Sequence, residues 1–536
     1  MASSTTPETT PRTRRRARHI YDNYYIGPAR DQNILEIWAY TDKISYFPGE
    51  TIKLHSNTTA EFWDIEIARD GATYEIVYTA EGLTGKHYKT PQDCSVNGCD
   101  WPVSLEIKIE ENWKSGGYLF TLKGHRDGET VEEHHLVIIK ASKNSPKSKL
   151  LLLCATGTWI SYNCWGGSNA YEGITGPEKN QFSPCLSTQR PWTRGFCKLP
   201  KGAPRPLLEV PSVPDAMVRY PYMEWAYAYG YSKKYASAGW ASYERHFAIW
   251  AEEQGYELDI ATLHDLDLSS EILTNYKCVA FVGHDEYWSN RMRDHLDQWV
   301  DQGGKVARFA GNFLWQIRLE DEGKKQICYK HRAQKEDPIM STDQPHLMTG
   351  LWDLSPVNRP SPETFGANAL KGVYTGLGNC IGRGSGGYTI YRPEHWAFEN
   401  CNIGFGDILG GKSRIFGYEV DGLEYEIRDD LPYPTGEDGA HQDIEILGMG
   451  FATMTEADHK IWGEEYYISN HDLAIIPEEL RKKAIRGNGV MIHWKKGAGE
   501  IFNAATCEWI MGLTRKDQQI EQVTRNVLNR FLSSTT

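Results

Sequence analysis

The stretch CVAFVGHDEYWSNRMRDHLDQWVDQGGKVARFAGN, residues 278–312, strings together a strand, a helix and a second strand. Its opening apolar run has the continuity of a strand buried on both faces. In the next segment Met292, Leu296, Trp299 and Val300 recur at helical spacing on one face. Ser289 stands where an N-cap belongs, and Gly303-Gly304 closes the far end. The run from Lys305 then starts another strand. A strand followed by a helix and a strand argues for a parallel, doubly wound sheet. Yet His284, Asp285 and Glu286 crowd the first joint, where a strand leaves the core.

Working outward, LLLLCATGTW (150–159) is a second continuous apolar run. The helix ASYERHFAIWAEEQGY and the strand ELDIATLHDLDL come before the 278–283 strand. A long Gly- and Pro-rich insertion, to about Gly239, separates the first strand from that helix, and QQIEQVTRNVLNRFL closes the chain as an amphipathic helix. From about Arg318 to Leu513 no clear helix is legible, only short apolar strands such as NGVMIHW, read as insertions and the last strands of the same unit.

Ahead of this lies a different pattern. ILEIWAYT, TIKLHSN, DIEIARDG, VSLEIKIEE, GGYLFTLKG and HHLVIIKAS are short alternating segments, with Val103, Leu105, Ile107 and Ile109 pointing one way. Several such strands suggest an antiparallel β-sandwich. KNSPKSK (143–149) reads as a linker. The expected organisation is a flexible, basic N-terminal arm over 1–32, an immunoglobulin-like sandwich over 33–142, and an α/β unit with long insertions over 149–536.

Composition bounds the function. The chain has 536 residues, 40% of them hydrophobic and 24% charged. No apolar run approaches the roughly 18 residues a membrane span needs. The net charge of −13 argues against a nucleic-acid binder, whose footprint is basic. Eleven cysteines, an odd count with no CxxC pair, suit buried thiols in the cytoplasm, although Cys94 and Cys99 are close enough in sequence to bridge a loop.

In an open parallel sheet, ligands bind beyond the carboxyl ends of the strands. That rule places Tyr162, His284, Glu286 and Asn312 on one rim, after three separate strands. Asp285 points the other way if the strand persists. No G-x-S-x-G elbow, P-loop or dinucleotide fingerprint is present. Cys164 sits past its strand with no obvious base beside it. What remains is carboxylate, phenol, imidazole and amide, a hard oxygen-rich set that suits a ferric ion better than zinc.

GTWISYNCWGGSNAY, WAEEQGYELDIATLHDLDL, FVGHDEYWS, RFAGNFLWQ and GAGEIFNAATCEWIMGL carry a family resemblance. From about Lys149 onward the chain resembles the catalytic part of the N,N-dimethylformamidase large (beta) subunit family. The resemblance implies a glutamine-amidotransferase-like scaffold holding a mononuclear iron (Fe3+) through two tyrosines and a glutamate. By position these are Tyr162, Tyr171 and Glu286, with Tyr222 as the fallback for the second tyrosine. It also implies that His284 and Asn312 position the amide or the attacking water. The shorter loop between Tyr162 and Tyr171 departs from the family pattern.

The function so implied is Lewis-acid hydrolysis of a small amide to a carboxylic acid and an amine, in a homo-oligomer with a possible small subunit. Two other readings stand beside it: a thiol-dependent hydrolase of the same fold using Cys164, and a non-enzymatic ligand-binding protein. The aromatic run RYPYMEWAYAYGY (219–231) suits carbohydrate or subunit contacts as well as ordinary packing.

Overall fold

The computed structural model describes residues 27, 32–143, 148–173, 182–205, 221–374, 381–382, 386–416, 418–453 and 486–533. Almost all of the expected arm 1–32 lies outside these residues.

Five parallel strands form the centre of the molecule. They are Leu150–Cys154, Leu258–Thr262, Cys278–His284, Lys305–Gly311 and Gly499–Asn503. Numbered in that chain order they lie side by side as 2-1-3-4-5. Their side chains alternate between two cores. Leu150, Leu152, Ala280, Val282 and Phe309 face a layer containing Phe247, Val527 and Phe531. Leu151, Leu153, Val279, Phe281 and Val306 face Leu263, Met292, Leu296 and Val300. Burial on both faces is why these strands are apolar without alternation, each buried Leu or Val contributing roughly 1.5–3 kcal/mol.

The helix Asn290–Asp301 starts where the cap places it, with the Ser289 hydroxyl accepting from Met292 N at 3.1 Å. Two of its residues depart from the amphipathic pattern. Trp299 is only half-buried, and Arg293 is fully buried on the apolar side. The Arg293 guanidinium donates to Thr364 and to the carbonyls of Arg359 and Pro360, and it stacks on Trp352. Satisfied donors let a charged group sit among aromatic rings.

Beyond Gly499–Asn503 the sheet turns antiparallel. Arg486–Lys496, Glu445–Thr453, Tyr388–Ile390 and Ile408–Leu409 extend it. The all-parallel expectation therefore holds only for the first half. Arg486–Lys496 returns directly into Gly499–Asn503 through a tight turn, a connection that an antiparallel pair allows and a parallel pair does not. Between 318 and 513 the described helices are single turns, such as Ala333–Glu336 and Pro362–Phe365, and then Trp509–Thr514. The terminal helix spans Gln518–Leu532. Within the aromatic run, Pro221–Tyr229 is a helix that the sequence pattern did not show.

At the amino end, a three-stranded and a five-stranded sheet enclose one apolar cluster around Trp63, Ile67, Phe120 and Val137. Val103 is an exception to the expected inward row: it is 44% exposed, because its strand begins only at Leu105. The five-stranded sheet packs against the edge strand Leu258–Thr262. Ile260 N donates to Ser115 Oγ at 2.7 Å, and Lys140 Nζ and Ser45 Oγ donate to Asp265 Oδ1 at 2.5 and 2.8 Å. Covering the edge in this way blunts its tendency to pair with other chains.

Candidate functional site

The 2-1-3-4-5 order makes the strand connections diverge between Leu150–Cys154 and Cys278–His284, leaving a crevice beyond their carboxyl ends. The helix Thr156–Tyr162 leaves the first strand and carries Tyr162 at its last residue. The strand Cys278–His284 ends on His284, and Glu286 stands in the joint that follows it. Gly311, ending the neighbouring strand, lets two further segments approach. A Cβ there would meet Cys507 N at 2.8 Å and Glu419 O at 2.9 Å.

Glu286 is the hub, 3% exposed. The hydroxyls of Tyr162 and Tyr171 reach its Oε2 at 3.0 and 2.6 Å, and the two hydroxyls lie 2.7 Å apart. Its other oxygen accepts from the Trp315 indole at 2.8 Å. Thr158 Oγ1 accepts from Glu286 N, and Tyr287 OH donates to Tyr171 OH at 2.8 Å. Lys330 Nζ lies 3.6 Å from the Tyr171 ring centroid, and Lys234 Nζ covers the same ring at 4.6 Å.

His284 bridges two carboxylates, with Nε2 2.6 Å from Glu419 Oε2 and 3.3 Å from Glu286 Oε2. Its Nδ1 faces Ser237 O at 2.8 Å, so the ring is held at both ends. Asn312 sits at a φ of 65°, a left-handed conformation that asparagine tolerates. From there its amide donates to Glu419 Oε2 at 2.7 Å and lies 3.1 Å from His284 Nε2.

Burial alone would strip the proton from His284, but Glu419 and Glu286 more than reverse this and raise its pKa to about 10. Burial, with Glu286 beside them, holds both Tyr162 and Tyr171 far above the ordinary phenol range. Burial likewise lowers Lys330 to about 8.

Of the residues singled out from sequence, Tyr162, Tyr171, His284, Glu286 and Asn312 therefore lie in one hydrogen-bonded cluster. Tyr222 is buried in a different cluster, with Ala226, Tyr235 and Ala236. Asp285 accepts from the Trp288 indole and pairs with buried Arg308 at 3.6 Å. Cys164 touches only hydroxyls among its hydrogen-bond partners, Thr193 and Ser232, both at 3.1 Å. Glu419, Lys330, Lys234 and Cys507 were missed, because the segments that carry them show no periodicity.

Two side-chain groups among the described residues could hold a metal through His, Cys or carboxylate atoms: His284, Glu419 and Cys507 at this site, and His395, Glu445 and His493 elsewhere. The phenol–carboxylate triangle is a third. Its edges of 2.6–3.0 Å match the roughly 2.8–3.0 Å between neighbouring oxygens around an ion with bonds of about 2.0–2.1 Å. Deprotonated, the three donors carry three negative charges, which suits a hard trivalent cation.

A buried carboxylate flanked by phenols thus lies at the crevice of a mixed α/β sheet. The chain belongs to the N,N-dimethylformamidase beta subunit-like, C-terminal family, whose model matches residues 68–522. It is 25% identical over 308 residues to an N,N-dimethylformamidase beta subunit from Alcaligenes sp, and 22% identical over 307 residues to one from Paracoccus aminophilus. Each match takes in 54% of this chain and 36% of the relative. The chain is thus matched to little more than a third of the length of these relatives.

Proposed function

We propose that this chain is an amide hydrolase dependent on one ferric ion held by Tyr162, Tyr171 and Glu286, cleaving a small N-substituted amide to a carboxylic acid and an amine. The observation that carries this reading is the convergence of three oxygen donors, one carboxylate and two phenols, on one point, in a chain of this family. When bound, the ion would supply Lewis-acid polarisation of a carbonyl and acidify a water.

The chain's own residues supply the rest. Trp315 fixes the carboxylate plane of Glu286, leaving Oε2 toward the phenols. His284, held in its protonated form between Ser237 O and Glu419, is placed to give its Nε2 proton to the departing nitrogen as the C–N bond breaks and then to recover one from the water that has added to the carbonyl. Asn312 orients Glu419 and the imidazole together. Lys330 and Lys234, over the tyrosine rings, offset the negative charge of the two glutamates.

In the same reading 149–536 is a doubly wound, glutamine-amidotransferase-like unit, 33–142 an immunoglobulin-like module and 1–32 an arm. The relatives are named as beta subunits, which supports a multi-subunit assembly; in this reading it is a homo-oligomer with a possible small subunit. Ten described cysteines, all free, fit a cytoplasmic setting. No helix among the described residues is long and apolar enough to cross a membrane. The thiol alternative finds only hydroxyls as hydrogen-bond partners of Cys164 among the described residues. Elemental analysis with a visible spectrum tests the proposal. About one iron per chain and a tyrosinate-to-iron band are expected, and Glu286→Ala is expected to lose metal and turnover together. An active, metal-replete Glu286→Ala protein would sink it.

A further inference from the structure

A second convergence of donors lies in the antiparallel half of the sheet, and the amide-hydrolase reading uses none of its residues. Glu445 and His493 are cross-strand partners on adjacent strands. His395 caps the turn Trp396–Phe398 and faces both of them. His493 Nδ1 is 3.1 Å from His395 Nε2 and 2.8 Å from Glu445 Oε2, and the third edge, His395 Nε2 to Glu445 Oε2, is 3.8 Å. Three ligands of a tetrahedral ion with bonds of about 2.0–2.1 Å stand roughly 3.3–3.4 Å apart, so these edges bracket the requirement.

The surroundings are those of a metal-binding histidine. The far nitrogen of His493, Nε2, lies 2.8 Å from Glu500 Oε1, and Arg530 holds that same oxygen at 3.0 Å. A carboxylate behind an imidazole fixes its proton on the far nitrogen and aims the lone pair of the near one at the ion. Both histidine side chains are nearly buried, whereas Glu445 is 49% exposed, which opens one side of the cluster to water.

We propose that His395, His493 and Glu445 form a second metal site, taking a divalent transition-metal ion of the zinc type with water in the fourth position. The ion would clip the Trp396 turn, and through Glu500 and Arg530 the terminal helix, to the antiparallel strands. His395 Nδ1 accepts from Ala397 N at 3.2 Å, which puts its proton on Nε2. Binding displaces that proton to Nδ1 and costs this one hydrogen bond. The site shares no ligand with the Tyr162, Tyr171 and Glu286 triangle, so the two stand or fall separately.

The test is a Co2+ titration of the full chain, read by the visible spectrum of four-coordinate cobalt, with Zn2+ competition. One equivalent should bind with a four-coordinate spectrum, in the wild type and equally in Tyr162→Phe. Affinity should fall at least about tenfold in Glu445→Gln and His395→Gln, and about 10–100-fold in Glu500→Gln. Glu445 is half-exposed, so its variant tests the site without threatening the fold, as circular dichroism would verify. Absence of a four-coordinate spectrum in the wild type overturns the proposal, as does unchanged affinity in Glu445→Gln and His395→Gln. Loss of the cobalt spectrum in Tyr162→Phe alone would also overturn it.

Discussion

Gly311→Ala is the sharpest perturbation of the site that leaves every functional side chain in place. The added methyl would sit 2.8 Å from Cys507 N, 2.9 Å from Glu419 O and 3.1 Å from the Thr506 carbonyl carbon. All three are backbone atoms, which cannot swing aside as a flexible side chain can. Relief to ordinary contact requires a displacement of about 0.5 Å, comparable to overpacking a core by one methylene, which costs roughly 1–3 kcal/mol. The atoms that move are themselves paired: Cys507 N donates to Glu419 O at 3.0 Å, and Asp285 N to Gly311 O at 3.1 Å. The same shift would lengthen the 2.6 Å contact between Glu419 and His284 beyond 3 Å. Thermal unfolding should therefore show a lower midpoint for Gly311→Ala. Turnover of a small amide should fall at least about tenfold with the metal retained, since a small misplacement of reacting groups is amplified in rate. Gly404→Ala is the control, because a Cβ there meets only Asp407 Oδ2 at 3.5 Å at an ordinary backbone angle. A Gly311→Ala protein as stable and as active as Gly404→Ala would refute the claim that this close approach positions Glu419.

Three further outcomes are expected. Tyr171→Phe should weaken and shift the tyrosinate-to-iron absorption while Tyr222→Phe leaves it unchanged, as measured on iron-reconstituted proteins, because of these two only Tyr171 lies beside Glu286. Burial raises Glu244 to about 7 from 4.5, and its Oε2 has no hydrogen-bond partner among the described residues. The folded chain thus favours the protonated acid, and that stability is complete below pH 4.5 and lost as pH rises through about 7. Glu244→Gln should remove a pH dependence of about 3 kcal/mol, read from denaturant unfolding at pH 4 and pH 8. Asp265→Asn should strand buried Lys140 and cost roughly 3–5 kcal/mol. Limited proteolysis should then cut between the amino-terminal sheets and the α/β sheet faster than in the wild type.

How much of this was legible in sequence can be judged element by element. Runs such as LLLLC and CVAFV declared their strands, because a strand buried on two faces needs apolar side chains at every position. The Ser289 cap, the 290–301 helix and the closing helix were readable because capping and helical spacing are local effects spanning three or four residues. Tyr162, His284, Glu286 and Asn312 could be placed on one rim because each lies at the carboxyl end of a strand of that kind or within the short segment that leaves it. Tyr171 entered through family resemblance, since nothing local marks it among 30 tyrosines.

Only the tertiary structure decided the rest. Glu419 faces His284 across 135 residues of sequence only because Gly311 lets its strand approach, and Lys330 reaches the tyrosines from an irregular turn at a φ of 53°. The antiparallel half of the sheet, and with it the cluster of His395, Glu445 and His493, depends on pairings between distant short strands in Gly- and Pro-rich sequence. Local propensity determines whether a segment is a strand or a helix. Which segments meet is settled by packing and hydrogen bonding summed over the whole chain, and no window of neighbouring residues contains that information.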